Sequence, residues 1–475
     1  MSEAAAYDAV VVGSGPNGLA AAVELARNGK RVAVLEGKST IGGGARSAQI
    51  TLPGFIHDLG SAIHPLGYAS PFFRSLPLEE HGLEWIHPDA PLAHPLDGGE
   101  AAVLERSIGA TAAGLGHDAA AYRRLMEPGS ADAARIADFF VGKPSLLRHP
   151  LALASSGIRA LGDAEGLAKS AFEGEKARGL FAGNAAHSFL PLDQPPSAMF
   201  GLLLGTLGHA FGWPFPRGGS QSLVDALASY LESLGGEIYT HAMVHTLDDV
   251  PRTRSVLFDV TPRQLLDIAG EHFTESYNNA LKRYRYGPGV FKMDFALDGP
   301  IPWEAEGCER AGTVHLGGTL DEIATGEAAV GRGEHPERPF ILLAQQSLFD
   351  RARAPEGRHT VWAYCHVPNG SRVDMTDRIE AQIERFAPGF GDRILDKRAA
   401  GTAALERWNP NLVGGDINGG YMDLRQLFTR PIPRPNPYST PARGLFICSS
   451  SAPPGGGVHG MSGYFAARVA LRHLE

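Results

Sequence analysis

The stretch that decides the fold is Tyr7-Asp-Ala-Val-Val-Val-Gly13-Ser14-Gly15-Pro16-Asn17-Gly18-Leu-Ala-Ala-Ala-Val-Glu-Leu-Ala-Arg27-Asn28-Gly29. Ala9 to Val12 is a short, uninterrupted apolar run and predicts a buried strand. Gly13, Gly15 and Gly18 then fall on the G-x-G-x-x-G spacing, with Ser14, Pro16 and Asn17 between them. Leu19 to Arg27 has helical composition, and Asn28-Gly29 is a stop signal. A second strand, Arg31-Val-Ala-Val-Leu35, ends at Glu36-Gly37, with the acid 18 residues beyond Gly18. Each glycine has a mechanical reason. Gly13 makes the tight turn, Gly15 lets the backbone approach a pyrophosphate, and Gly18 lets helix and strand pack closely. The phosphates sit at the positive end of the helix, and Glu36 stands where a ribose-binding carboxylate belongs. Strand, loop, helix, strand and acid in that order predict an α/β dinucleotide-binding fold of the Rossmann type.

This unit alone suits NAD or FAD. The residues that follow, Ser39-Thr40-Ile41-Gly42-Gly43-Gly44-Ala45-Arg46-Ser47, resemble the G-G-x-x-R-S extension of the glutathione-reductase-like FAD-binding oxidoreductases. The resemblance implies that Gly43, Gly44 and Ala45 approach the flavin's phosphates and ribityl chain, and that Arg46 complements the phosphate charge. A second glycine-rich signal lies near the C-terminus, in Gly444-Leu-Phe-Ile-Cys448-Ser449-Ser450-Ser451-Ala-Pro453-Pro454-Gly455-Gly456-Gly457-Val458-His459-Gly460-Met461. It reads as strand, loop and helix start. So many glycines suit a backbone pressed against a ligand's flat face, and N–H groups at the helix start stabilise negative charge.

With Val12-Gly-Ser-Gly-Pro-Asn-Gly-Leu, Ile41-Gly-Gly-Gly-Ala-Arg-Ser, Phe215-Pro-Arg217-Gly218-Gly219-Ser220-Gln221-Ser222-Leu223 and Pro453-Pro-Gly-Gly-Gly-Val in view, the chain resembles the phytoene desaturase-like FAD oxidoreductases. That group includes carotenoid desaturases, carotenoid isomerases and retinol saturase. The chain is also similar to the related pyridine nucleotide-disulphide oxidoreductase domain-containing proteins. The resemblance implies a glutathione-reductase-like FAD domain with an inserted α+β substrate domain. It implies FAD contacts at Val244, at Ser449 and Ser450, and at Gly456, Gly457 and Val458. Two departures stand out. Relatives commonly carry an acid where this chain has Cys448-Ser449-Ser450-Ser451, whose hydroxyls can still hydrogen-bond a ribityl chain. The stretch from His241 to Pro251 is too short for the β-hairpin usual there, so Val244 is expected to pass the adenine and Asp259 to Pro262 to return to the cofactor.

Composition agrees with a globular enzyme. The chain has 475 residues, 43% hydrophobic and 20% charged, with Lys+Arg 43 against Asp+Glu 52. No basic excess exists to neutralise a nucleic-acid backbone. Three well-separated cysteines, Cys308, Cys365 and Cys448, make neither a disulfide framework nor a zinc site. Met1-Ser-Glu-Ala-Ala-Ala lacks a basic signal-peptide start, and the longest apolar stretch, Ala198 to Leu207, is short of a span of about 20 residues. A cytoplasmic protein is expected, with peripheral membrane contact left open. The FAD domain is assigned to about 5–65, 214–290 and 408–475, and the substrate domain to about 66–213 and 291–407. Ala119 to Leu207 suggests several helices. Phe291-Lys-Met-Asp-Phe-Ala-Leu297 and Thr360-Val-Trp-Ala-Tyr-Cys-His-Val367 alternate with period two and read as strands over a substrate cavity.

The chemistry expected is hydride transfer from an apolar, isoprenoid or polyene-like small molecule to flavin N5, where the cofactor carries the hard step. No second dinucleotide motif is visible, so dioxygen or a quinone is the expected electron acceptor. His459, inside the glycine loop, and His64, after the first FAD segment, are the candidate catalytic side chains. His187 and His209 read as core or surface histidines, and His57-Asp58 as structural. Tyr284-Arg285-Tyr286 reads as a surface or rim cluster. The Ala198–Leu207 run reads as core, with a tunnel lining as the alternative. A redox-neutral flavin-dependent isomerase and a flavin-binding interaction protein with little catalysis remain competing readings. An amine oxidase is weaker, because no aromatic pair for an amine cage is evident.

Overall fold

The computed structural model describes residues 6–131, 142 and 158–475; part of the helical region expected over Ala119 to Leu207 lies outside them. In chain order, the strands of the two main sheets are β1 (Tyr7–Val12), β2 (Val32–Leu35), β3 (Ala90–Leu96), β4 (Glu100–Leu104), β5 (Glu237–Tyr239) and β6 (Thr253–Phe258), then β7 (Gly289–Leu297), β8 (Ala311–Leu316), β9 (Ile341–Ala344), β10 (His359–Val367), β11 (Ile394–Ala400) and β12 (Leu445–Ile447). The helices that position the site are α1 (Pro16–Arg27), α2 (Glu175–Ala186), α3 (Ser197–Ala210), α4 (Gln221–Ser233) and α5 (Met461–Leu474).

The first sheet has the order β12-β6-β1-β2-β5, and each pair in it is parallel. Parallel sheets are covered on both faces, so their strands are apolar throughout. Ala9 to Val12 and Val32 to Leu35 are buried at every position. Pro16 opens α1 because its fixed φ and missing N–H suit a first helical turn. Helix α5 packs against α1 so closely that a Cβ on Gly463 would lie 1.8 Å from the Asn17 carbonyl oxygen. The short connection expected between β5 and β6 is present: only a single turn, Leu247–Asp249, interrupts it.

The second sheet has the order β11-β7-β10-β9-β8-β3-β4 and is antiparallel except for β8 with β3. The period-two expectation for β7 and β10 holds: the two strands are adjacent, with Lys292 opposite Tyr364 and Asp294 opposite Trp362. One face of the sheet carries Phe291, Met293, Phe295, Val361, Ala363 and Cys365 into a core closed by Phe386 and Phe390. The other face, including Lys292, Trp362 and Tyr364, turns toward the cavity described below. Among the described residues no helix is long and apolar enough to cross a membrane.

Candidate active site

A cavity of about 440 Å³ runs from the carboxyl ends of β1 and β2 to the face of the second sheet. This is the crevice where open α/β sheets bind their ligands. Its first part is bare backbone. Gly13 turns with φ +99°, and a Cβ on Gly18 would stand 2.1 Å from the Gly13 carbonyl oxygen. The N-cap residue Gly15 has no side chain to cap α1, and apart from the Gly18 N–H the helix start is left for an anion. A Cβ on Gly43 would reach within 2.9 Å of Gly15 Cα, so a side chain there would fill the cleft. Glu36 lines the cavity at the end of β2, held by the backbone N–H groups of Ser14 at 3.1 Å and Lys38 at 2.9 Å. Arg46 donates to the carbonyls of Gly43 and Trp408, both at 3.1 Å, and lies over the Trp408 ring. Asn17 Oδ1 is buried without a partner. A bare loop at a helix start, a carboxylate at the second strand and a buried arginine fit the pyrophosphate and ribose of FAD.

Asp259 adds an unexpected feature. It returns to the loop as anticipated, but with its carboxyl: Oδ2 accepts the Gly18 N–H at 2.9 Å. Burial raises its pKa to about 7; the Gly18 N–H opposes the shift and the Glu36 charge adds to it. In the unfolded chain the group titrates near an ordinary aspartate value of about 4. Between about pH 4 and about pH 7 the folded chain therefore binds the extra proton, and apo-protein stability falls as pH rises through that window. A pyrophosphate nearby favours the protonated form further. FAD affinity is expected to fall from about pH 6 to about pH 8, and Asp259→Asn to flatten that slope. Fluorescence titration of apo-protein with FAD checks this; equal slopes in the two proteins would refute it.

At its other end the cavity meets Ser450, Gly456, Gly457, Val458 and His64, then the sheet residues Lys292, Trp362 and Tyr364. His64 Nε2 lies 2.8 Å from Ser220 Oγ, whose own hydrogen goes to the Ser61 carbonyl. The serine therefore accepts and His64 carries its proton on Nε2. Its Nδ1 is buried with no partner, and burial lowers the pKa to about 4. Lys292 is buried against Asp294; burial lowers the lysine pKa and raises that of Asp294 to about 6.

The cavity gathers most of the residues singled out in the sequence: Gly13 to Asn17, Glu36, Gly37, Gly43, Gly44, Arg46, Val244, Ser450, Gly456 to Val458, and His64. Four others do not line it. Gly18 and Ala45 support the loop from behind, and Ser449 is buried, with its Oγ 3.3 Å from the Ser451 N–H. His459 is turned into the start of α5, where Nδ1 accepts the Met461 N–H at 3.0 Å; burial lowers its pKa to about 4. It serves as a helix cap rather than a cavity side chain. Conversely, His187 does line the cavity, and so do Phe200, Leu203 and Leu204 of the Ala198–Leu207 run. Tyr284 is buried, its hydroxyl donating to the Gly419 carbonyl at 2.5 Å, so it is not a surface group. An aromatic pair exists after all: Trp362 and Tyr364 meet at 5.1 Å and 88°.

A family model for the NAD(P)-binding Rossmann-like domain matches residues 11–76. The chain is 29% identical to pyridine nucleotide-disulfide oxidoreductase domain-containing protein 2 of Mus musculus, over 99% of this chain and 94% of that protein. It is 21% identical to a lycopene-forming phytoene desaturase of a Paracoccus species, over 55% of each chain. A solved structure of putrescine oxidase with putrescine superposes with a TM-score of 0.63 at 17% identity, over 98% of both chains. The full-length likeness, the shared fold and a cleft whose residues fit FAD together support an FAD-dependent oxidoreductase.

Proposed function

We propose that the chain oxidises an apolar small molecule of the isoprenoid or polyene class, on a glutathione-reductase-like FAD domain. The observation that carries this reading is the cavity beyond Gly457. It is walled by Phe189, Phe200, Leu203, Leu204, Leu342 and Met422, and its buried cation, Lys292, is already neutralised by Asp294. Bound FAD supplies a hydride acceptor at N5. The chain's own residues do the rest. The apolar walls bind and orient the substrate and exclude water. The Lys292–Asp294 pair beside the substrate would take the proton that leaves it alongside the hydride. The electron acceptor would be dioxygen or a quinone, and peripheral contact with a membrane would deliver such a substrate.

An amine is the poorer fit. Trp362 and Tyr364 are perpendicular rather than facing, and Lys292 Nζ already stands 5.8 Å from the Trp362 ring centre. A substrate ammonium would be desolvated in a dry site beside an ion pair that is already neutralised.

The visible spectrum of the purified protein, followed by heat release of its nucleotide, is the first test; FAD is expected. Anaerobic reduction by isoprenoid or polyene substrates should then bleach the flavin. Lys292→Met should slow that bleaching by about 100-fold, the lower end of the range for positioned acid–base groups. A colourless protein that FAD cannot reconstitute ends the enzyme reading, and an unaltered rate in Lys292→Met ends the role of the lysine.

A further inference from the structure

The cavity wall has a second polar end that the proposed chemistry does not use. Reading across the sheet at one level, Lys292 on β7 pairs with Tyr364 on β10, Tyr364 with Leu342 on β9, and Leu342 with His315 on β8. Three strand spacings separate the first from the last, about 14 Å. Thr313 lies two residues from His315 on the same face of β8 and lines the cavity. Its hydroxyl is fully buried and has no hydrogen-bond partner. A hydroxyl left in this state is costly unless a ligand completes it.

Beside it, His187 Nε2 and His315 Nε2 lie 3.0 Å apart. One of the two must donate. His315 Nδ1 is buried without a partner. An orphaned lone pair is tolerated better than an orphaned N–H. His315 therefore carries its hydrogen on Nε2 and gives it to His187, which keeps its own on Nδ1. His187 lines the cavity, and its Nδ1 has no hydrogen-bond partner among the described residues. The other histidines nearby, His94 and His366, do not line the cavity, and each is paired through one ring nitrogen while the other is buried without a partner. His94 Nε2 donates to the Gly318 carbonyl at 2.7 Å, and His366 is paired with Glu327 at 2.8 Å. Burial holds His187 at a pKa of about 3, and His315 well below its usual range, so neither is a cation at neutral pH.

We infer that the substrate carries one neutral oxygen, a hydroxyl or carbonyl, seated between Thr313 and His187, three strand spacings across the sheet from Lys292. This deepens the apolar-substrate reading and rests on it. An ammonium finds no carboxylate free at that end, and a carboxylate finds no cation. Both would be desolvated without compensation.

The test is equilibrium binding of three chains of one length, dodecanol, dodecylamine and dodecanoate, to the FAD-loaded protein at neutral pH. Calorimetry and the flavin difference spectrum supply the readout. Dodecanol should bind at least about tenfold tighter than either ion. Thr313→Val, which keeps shape and removes the hydroxyl, should weaken dodecanol by about 2- to 12-fold, the range of one hydrogen bond. Thr313→Ser should restore it. Chains that bind alike whatever their head group, or a Thr313→Val protein with unchanged dodecanol affinity, overturn the inference and leave the apolar-substrate reading standing. A protein that holds FAD and binds none of the three overturns both.

Discussion

Arg353→Ala is expected to destabilise the protein by about 3–5 kcal/mol, the cost of stranding buried charge. Arg353 is fully buried between two carboxylates: Nη1 donates to Asp58 at 3.0 Å and Nε to Asp350 at 3.1 Å. Asp58 also accepts from Ser47 Oγ at 2.6 Å and the Ser220 N–H at 2.8 Å, and Asp350 from the Gly218 N–H at 2.7 Å. Burial alone would raise the Asp58 pKa, but the Arg353 charge and these hydrogen bonds hold it below the ordinary value. The cluster ties the segment after the first FAD motif to the Gly218-Gly219 turn and to the substrate sheet, so its loss loosens the cavity floor. Arg353→Lys should recover only part of the loss, because an ammonium cannot reach both acids with a planar fork. Removing all three charges together, as Asp58→Asn, Arg353→Met and Asp350→Asn, should cost less than Arg353→Ala alone. Urea unfolding of the three proteins checks the order. An Arg353→Ala protein within about 1 kcal/mol of the parent would show the carboxylates finding other partners.

The dinucleotide half of the site is legible in the sequence because its chemistry is local. A tight turn, a close backbone approach and a helix start need particular residues at fixed offsets, and Gly13, Gly15, Gly18 and Glu36 supply them within one supersecondary unit. The substrate half is not local. Thr313, Lys292, Trp362 and His187 come from three strands and the residue after a helix, and only sheet register brings them to one cavity. A trace was present in the text: Lys292 and Asp294 are charges on alternate positions of an otherwise apolar strand, which marks one face as special. His459 misled for the opposite reason. Its place in a glycine loop suggested exposure to the ligand, yet a backbone made permissive by glycine can turn a side chain inward, and the first N–H groups of α5 needed an acceptor. The aromatic pair was hidden in the same way, since Trp362 and Tyr364 alternate with core residues.

The second large effect concerns the loop itself. Gly18→Ala should abolish stoichiometric FAD retention, weakening binding by at least about 100-fold, or about 2.7 kcal/mol. The new Cβ would lie 2.1 Å from the Gly13 carbonyl oxygen and 3.1 Å from both the Cβ and Oδ2 of Asp259. The first contact is with backbone, so no rotamer change relieves it. Either β1 and α1 separate or the turn at Gly13 opens. Both moves displace the N–H groups that a pyrophosphate uses, and both disturb the Gly18 N–H bond to Asp259. The comparison that isolates this cause is Gly29→Ala. Gly29 also has a positive φ, +72°, but a Cβ there meets nothing within 4 Å. It should cost only the backbone strain of that conformation, about 1 kcal/mol, and leave FAD bound. Absorbance ratios of the purified variants, with FAD titration of the apo forms, separate the two. If Gly18→Ala retains FAD as Gly29→Ala does, the close strand–helix approach is not what holds the cofactor, and the anchoring would shift to Arg46 and the Gly43–Gly44 segment.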